Sequence, residues 1–195
     1  MRALFAILTV VCGARAAVAG EARGSSETLV GWSEDGTRYA VSGFSTNGPQ
    51  GGEFFLEVRE NGKAVYHWKQ PEDPDSLSPD RIDVETWAPV KKFALKRLDG
   101  AKARKRFATQ LVAVSTTRMN DRYTCGAGGW SLKKKAGAAS LFAQTAAKGR
   151  CFRVMAGYIN GGGTHALVKV REAWVVPAQA ERITEEHDRF VLVRL

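Results

Sequence analysis

The chain has 195 residues, 44% hydrophobic and 25% charged, and its 29 Lys and Arg against 20 Asp and Glu give a formal net charge of +9. That balance excludes wholesale disorder and a collagen-like fibre. A chain of this length buries about 70% of its unfolded surface, enough for a real core without metals or many disulfides.

The first twenty residues read as a targeting segment. Met1 and Arg2 are a positive start, and Ala3 to Val11 is an apolar run too short to anchor in a bilayer. Ala17-Val18-Ala19 is a small-x-small site that places cleavage before Gly20, with a cut after Ala16 as the alternative. Cys12 follows Thr9-Val10-Val11, which lacks the small residue that precedes a lipid-attachment cysteine. Residues 1–19 are thus expected to be a signal peptide, and 20–195 a single exported domain, periplasmic or secreted. No later stretch is apolar for long enough to span a membrane. Removal of the signal takes Arg2 and Arg15 and no acid. It leaves Cys125 and Cys151 as the only cysteines. In an oxidising compartment two cysteines pair, and closing this loop is worth about 3 kcal/mol.

Strand signals follow. Leu29 to Ser33 and Thr37 to Val41 flank Glu34-Asp35-Gly36, where glycine supplies the positive φ of a tight turn. Residues 45–52 read as a loop. Glu53 to Glu60 and Lys63 to Lys69 form a hairpin about Asn61-Gly62. A two-residue turn sets Glu60 opposite Lys63, Val58 opposite Val65, Leu56 opposite His67 and Phe55 opposite Trp68. Both faces of this hairpin carry large apolar residues, so the sheet is expected to be covered on both sides there.

Residues 70–80 are a Pro- and Asp-rich connection. A helix is expected near 86–98, with Pro89 in its first turn, Val90, Phe93, Ala94, Arg97 and Leu98 at helical spacing, and Asp99-Gly100 as its stop. Phe107 to Ser115 reads as a strand, 120–129 as a loop, and Trp130 to Lys135 as a short basic segment. Ala136 to Gly149 fits a short helix or a loose strand equally. Cys151 to Ile159 is a strand, Asn160-Gly161-Gly162-Gly163 a turn, and Thr164 to Val176 an alternating strand with Ala166, Val168, Val170, Trp174 and Val176 on one face. Residues 177–188 are polar, and Phe190 to Leu195 is a last strand. The fold class expected is α+β, mainly antiparallel sheet with one helix. An all-β sandwich or a small propeller-like fold is the alternative.

The segment Gly31-Trp32-Ser33-Glu34-Asp35-Gly36-Thr37-Arg38-Tyr39-Ala40-Val41 is similar to the Trp-Ser-x-Asp-Gly hairpin of TolB-type propeller repeats. A propeller needs that signature to recur, and here it occurs once. The order of elements also resembles a family of predicted secreted bacterial proteins, which begin with a Ser-x-Asp-Gly hairpin and end with a Val/Ala-rich strand pair. That resemblance brings no activity with it.

Charge is concentrated in one place. Residues 91–106 hold Lys91, Lys92, Lys96, Arg97, Lys102, Arg104, Lys105 and Arg106 against Asp99 alone, so this segment carries the whole net charge of the exported chain. Such focusing suits an anionic partner: an acidic polysaccharide, lipopolysaccharide or an envelope protein. Nucleic acid is the least favoured polyanion, because export separates the chain from it and no nucleic-acid motif is present. The bland counterpart is that residues 72–85, with six acids against Arg81, face the basic segment.

Catalytic patterns are sparse. Ser131-Leu132-Lys133-Lys134 has the Ser-x-x-Lys spacing of penicillin-recognising enzymes without their partner motifs. Cys151-Phe152-Arg153-Val154 resembles the nucleophile strand of peptidoglycan L,D-transpeptidases, where a thiolate attacks a peptide carbonyl. Gly149-Arg150 stands where that family has His-Gly. A small cell-wall enzyme with Cys151 as nucleophile, activated by His165 or His67, is therefore the alternative to a binding protein. His67, His165 and His187 have no zinc spacing, and Asp73, Asp75, Asp80 and Asp83 lack the calcium-loop glycine and glutamate. No metal or cofactor is expected. Of the five tryptophans, Trp130 beside Gly128-Gly129 is the one expected to be exposed.

Overall fold

Segments with period-two patterning dominate the described residues, and most become strands. The computed structural model describes residues 23–46, 52–71, 92–116, 128–137, 139–147, 149–177 and 182–195. In chain order the elements are β1 (Arg23–Trp32), β2 (Arg38–Thr46), β3 (Gly52–Glu60), β4 (Lys63–Pro71), β5 (Lys96–Arg97), α1 (Gly100–Gln110), β6 (Leu111–Ser115), β7 (Gly129–Lys134), β8 (Ser140–Thr145), β9 (Arg150–Ile159), β10 (His165–Pro177) and β11 (Arg182–Arg194). The larger sheet runs β4-β3-β2-β1-β11-β10-β9, with β5 added to β1; β6-β7-β8 form a second sheet. Every pairing is antiparallel except β1 with β11, which run parallel from Arg23 to Ser25 against Glu185 to His187. The fold is β-rich. No helix among the described residues is long and apolar enough to cross a membrane.

The large sheet folds over on itself. Leu29, Trp32, Tyr39, Val41 and Phe55 of its first half pack with Leu167 and Phe190 of its second. On the other side of the first half, Ala40, Leu56 and Val58 are covered by Leu95 and Phe93. On the other side of the second half, Phe152, Ile159, Val168 and Val170 meet Leu111, Trp130 and Leu132 of the small sheet. Three apolar layers therefore separate four tiers, which is why strands near the Asn61-Gly62 hairpin are apolar on both faces.

β1 and β11 pair over only three residues, and beyond that Glu27 bridges them. Its buried carboxylate accepts the Phe190 amide at 3.1 Å and both terminal nitrogens of Arg59, at 2.5 and 3.0 Å. An amide stranded where two strands part thus keeps an acceptor.

Several expectations are corrected. Residues 92–98 are not helical: they form a turn, with Ala94 at φ 56°, and then β5. Residues 86–91 lie outside the described residues. Asp99, read as a helix stop, is instead the N-cap of α1, its side chain accepting the Lys102 amide at 3.0 Å. Aspartate before a run such as Gly-Ala-Lys-Ala satisfies a first-turn amide, so the same dipeptide serves either end of a helix. α1 then runs through Phe107 to Gln110, expected as strand. Gly157 on β9 makes room for it, since a Cβ there would lie 2.3 Å from the Phe107 ring.

In the β3–β4 hairpin, Glu60 pairs with Lys63 as expected, but a bulge follows. Arg59 faces Ala64 and Val58 faces Tyr66, so Val65 drops out of the ladder. Leu56 then lies opposite Trp68, Phe55 opposite Lys69, and His67 opposite Glu57. One extra residue reverses every side chain that follows it. Val65 is left 48% exposed.

β11 begins at Arg182, well before Phe190, because its polar residues have partners. Asp188 is buried between Arg171 Nε at 2.7 Å and Lys169 Nζ at 2.9 Å on β10. Trp130 is buried, not exposed: its ring packs on Phe142 and its indole N–H donates to Gln144 at 3.1 Å. The 136–149 segment, undecided from sequence, contains β8.

Candidate functional site

Two turns far apart in sequence are locked together by two side chains, Asn160 and Thr164. The β9–β10 turn carries Asn160, which is 2% exposed. Its Oδ1 accepts the amides of Thr164 and His165, each at 2.9 Å, which holds the turn itself. Its Nδ2 donates to the Glu34 carbonyl at 3.0 Å and to Thr164 Oγ1 at 3.1 Å. Thr164 Oγ1 in turn donates to the Asp35 carbonyl at 3.0 Å. Gly36, at φ 84°, closes the first turn directly against Asn160 and His165, where a Cβ would be 2.5 Å from the His165 ring. Asp35 secures that turn from within. It accepts from Ser33 Oγ, the Thr37 amide and Thr37 Oγ1, and these bonds hold its carboxyl below the ordinary aspartate range.

The helix docks on the same corner. Arg106, half-buried on α1, donates from Nη1 to the carbonyls of Asn160 at 3.1 Å and Gly161 at 2.8 Å. Between α1, β5 and the two turns lies a cleft of about 220 Å³. Its apolar wall is Trp32, Leu98 and Ile159; its polar rim includes Glu34, Lys96, Arg97, Asp99, Lys102 and Arg106. Glu34 and Lys96 pair across the rim at 2.7 Å, and the bond and charge of Lys96 hold the Glu34 carboxyl below its usual range.

The structure thus gathers four of the eight basic residues picked out by sequence. Lys96, Arg97, Lys102 and Arg106 line the cleft. Lys92, Arg104 and Lys105 are exposed outside it, on the preceding turn and on α1. Lys91 lies outside the described residues, as do Cys125, the acidic stretch 72–85 and Trp87. Asn160 and Glu34 were missed. Each stands in a segment recognisable only as a turn, and nothing local marks the two turns as neighbours.

The catalytic alternatives fare differently. Cys151 is buried on β9, opposite Ala173 of β10. His165 stands at the other end of β10, eight residues away, or about 27 Å at strand rise. His67 is on β4, at the opposite end of the strand order, bonded to Glu57 at 2.8 Å. His187 is opposite Glu172, one residue out of step with Ala173, so it points to the other face. No histidine base is therefore placed at Cys151. Ser131 and Lys134 are three apart on the strand β7, which sends them to opposite faces and removes the Ser–Lys pairing. Among the described residues no three His, Cys, Asp or Glu side chains form a metal-binding group.

No protein-family model matches the chain, and no significant match to it was found among curated proteins or solved structures.

Proposed function

We propose that the chain is an exported, non-enzymatic binding protein that docks an acidic glycan, such as an acidic polysaccharide or lipopolysaccharide, on the basic surface around α1. The observation that carries this reading is on the helix. Lys102 and Lys105 are exposed one turn apart, Arg104 is exposed further round the helix, and none of the three forms an ion pair among the described residues. Lys96 and Arg97 extend the same surface from β5. Unpaired cations presented by a rigid helix attract a flexible polyanion at long range and hold it by several weak contacts. The reading takes residues 1–19 as a removed signal and Cys125 as the disulfide partner of Cys151.

The test is chromatography on immobilised heparin with a salt gradient. Charges on an exposed surface are screened within about 8–10 Å at physiological salt, so retention is expected to fall steeply with ionic strength. Replacing Lys102, Arg104 and Lys105 by Gln should move elution to clearly lower salt while leaving the urea midpoint in place. Unchanged elution overturns the proposal.

A further inference from the structure

The cleft holds more than a diffuse positive field. Asp99, Lys102, Ala103 and Arg106 recur at helical spacing and form the helix wall of the cleft. Within that wall, Arg106 is already oriented. Its Nη1 is held by the Asn160 and Gly161 carbonyls, and its Nε and Nη2 have no partner among the described residues. Those two N–H groups are parallel, and together they match the two oxygens of one carboxylate. A guanidinium fixed in this way loses little freedom on binding.

Charge and size narrow the ligand. Four cations line the cleft, Lys96, Arg97, Lys102 and Arg106, but so do the carboxylates of Glu34 and Asp99. Lys96 is taken up by Glu34, and Asp99 offsets one of the two cations on the helix wall, Lys102 and Arg106, so that wall is left to match one negative charge. Those same carboxylates accept hydrogen bonds from hydroxyls, and half-buried Leu98, with the small exposed edges of Trp32 and Ile159, supplies an apolar wall. About 220 Å³ admits one sugar ring and little more.

We infer that this cleft is a subsite for one sugar-acid residue, with its carboxylate on the free edge of Arg106 and beside Lys102, and its ring against Leu98 and the exposed edge of Trp32. The inference rests on the acidic-glycan reading and adds where, and by which residues, a single unit of the chain is recognised.

The test uses the folded protein, 15N-labelled, titrated with sodium glucuronate, glucose and inorganic phosphate. Glucuronate is expected to shift the Lys102 and Gly161 amides and the Trp32 indole saturably. Glucose should produce no saturable shift, and phosphate should bind at least tenfold more weakly. Arg106→Lys keeps a donor for the Asn160 and Gly161 carbonyls and loses the fork, so it should weaken glucuronate about tenfold. Lys102→Gln, at an exposed position, should weaken it several-fold with the urea midpoint unchanged, and Lys63→Gln on the distant hairpin should change nothing. No saturable shift, phosphate equal to glucuronate, or affinity unaffected in both cleft variants each overturns the subsite. Heparin retention separates the two proposals. Retention without glucuronate binding sinks the subsite and leaves the basic surface standing. Glucuronate binding without retention sinks the surface and leaves the subsite.

Discussion

Asn160→Ala tests whether one buried amide holds the corner on which the cleft is built. The substitution removes four hydrogen bonds of 2.9 to 3.1 Å from a side chain only 2% exposed. Two of the orphaned partners, the Glu34 carbonyl and Thr164 Oγ1, lie near the surface and recover water. The Thr164 and His165 amides lose the side-chain acceptor they share inside the turn. At about 1 kcal/mol per net bond, and more for donors left buried, the expected loss is about 3–4 kcal/mol. For a domain of this size that is a fall of about 10 °C in Tm. Urea melts followed by tryptophan fluorescence measure the first quantity and calorimetry the second. The m-value should be unchanged, because the same surface is exposed on unfolding. Asn160→Asp gives a sharper comparison. It keeps an acceptor for the two amides but turns an oxygen toward the Glu34 carbonyl, so it should also be destabilised at pH 7. A loss below 1 kcal/mol in the alanine variant would refute the idea that this side chain ties the two turns together.

Other outcomes follow from the same geometry. Val65→Thr should change stability by less than about 0.5 kcal/mol, because the bulge leaves Val65 48% exposed; a loss of 1 kcal/mol or more would mean the unbulged register, with Val65 facing Val58. Asp188 gives a pH signature. Burial pushes its carboxyl up, but the hydrogen bonds and charges of Arg171 and Lys169 outweigh that and hold it below the ordinary aspartate value. A carboxyl depressed in the fold stabilises above its unfolded pKa, near 4, and that stabilisation is lost as pH falls through the folded pKa. Asp188→Asn should therefore be less stable at pH 7, by about 2–4 kcal/mol, and lose less on acidification; urea melts at pH 7 and pH 3 that run parallel to the wild type would contradict this.

Much of the strand content was legible because it is written in local chemistry. Asp35-Gly36 and Asn61-Gly62 supply the positive φ of tight turns, and Gly36 and Gly62 have it, at 84° and 83°. Ala166, Val168 and Val170 alternate along β10 and share one buried layer. Apolar residues on both faces near Phe55 and Leu56 announced the covering on both sides. The misses are equally local in origin. Asp99-Gly100 is compatible with either end of a helix, and the choice fell to whichever flanking segment packs better: Phe107 has Gly157 to rest on. Polar residues 182–188 showed no strand period because their partners, Lys169 and Arg171, are on another strand.

The cleft divides in the same way. Its charge was visible in the sequence: eight cations within residues 91–106 need no structure to be counted. What each cation does was not visible. Arg106 differs from Arg104 only because the Asn160–Gly161 turn comes to meet it, and that turn is placed by the Glu34 and Asp35 carbonyls more than 120 residues away. Hydrogen bonds of that span depend on the folding of the large sheet over itself, which buries Leu167 and Phe190 against Leu29 and Phe55. Composition, turns and alternation are properties of neighbours in the chain, so the sequence alone determines them. Register past a bulge, the burial of Trp130 and the orientation of Arg106 are properties of neighbours in space, and only the packing of four tiers decides them.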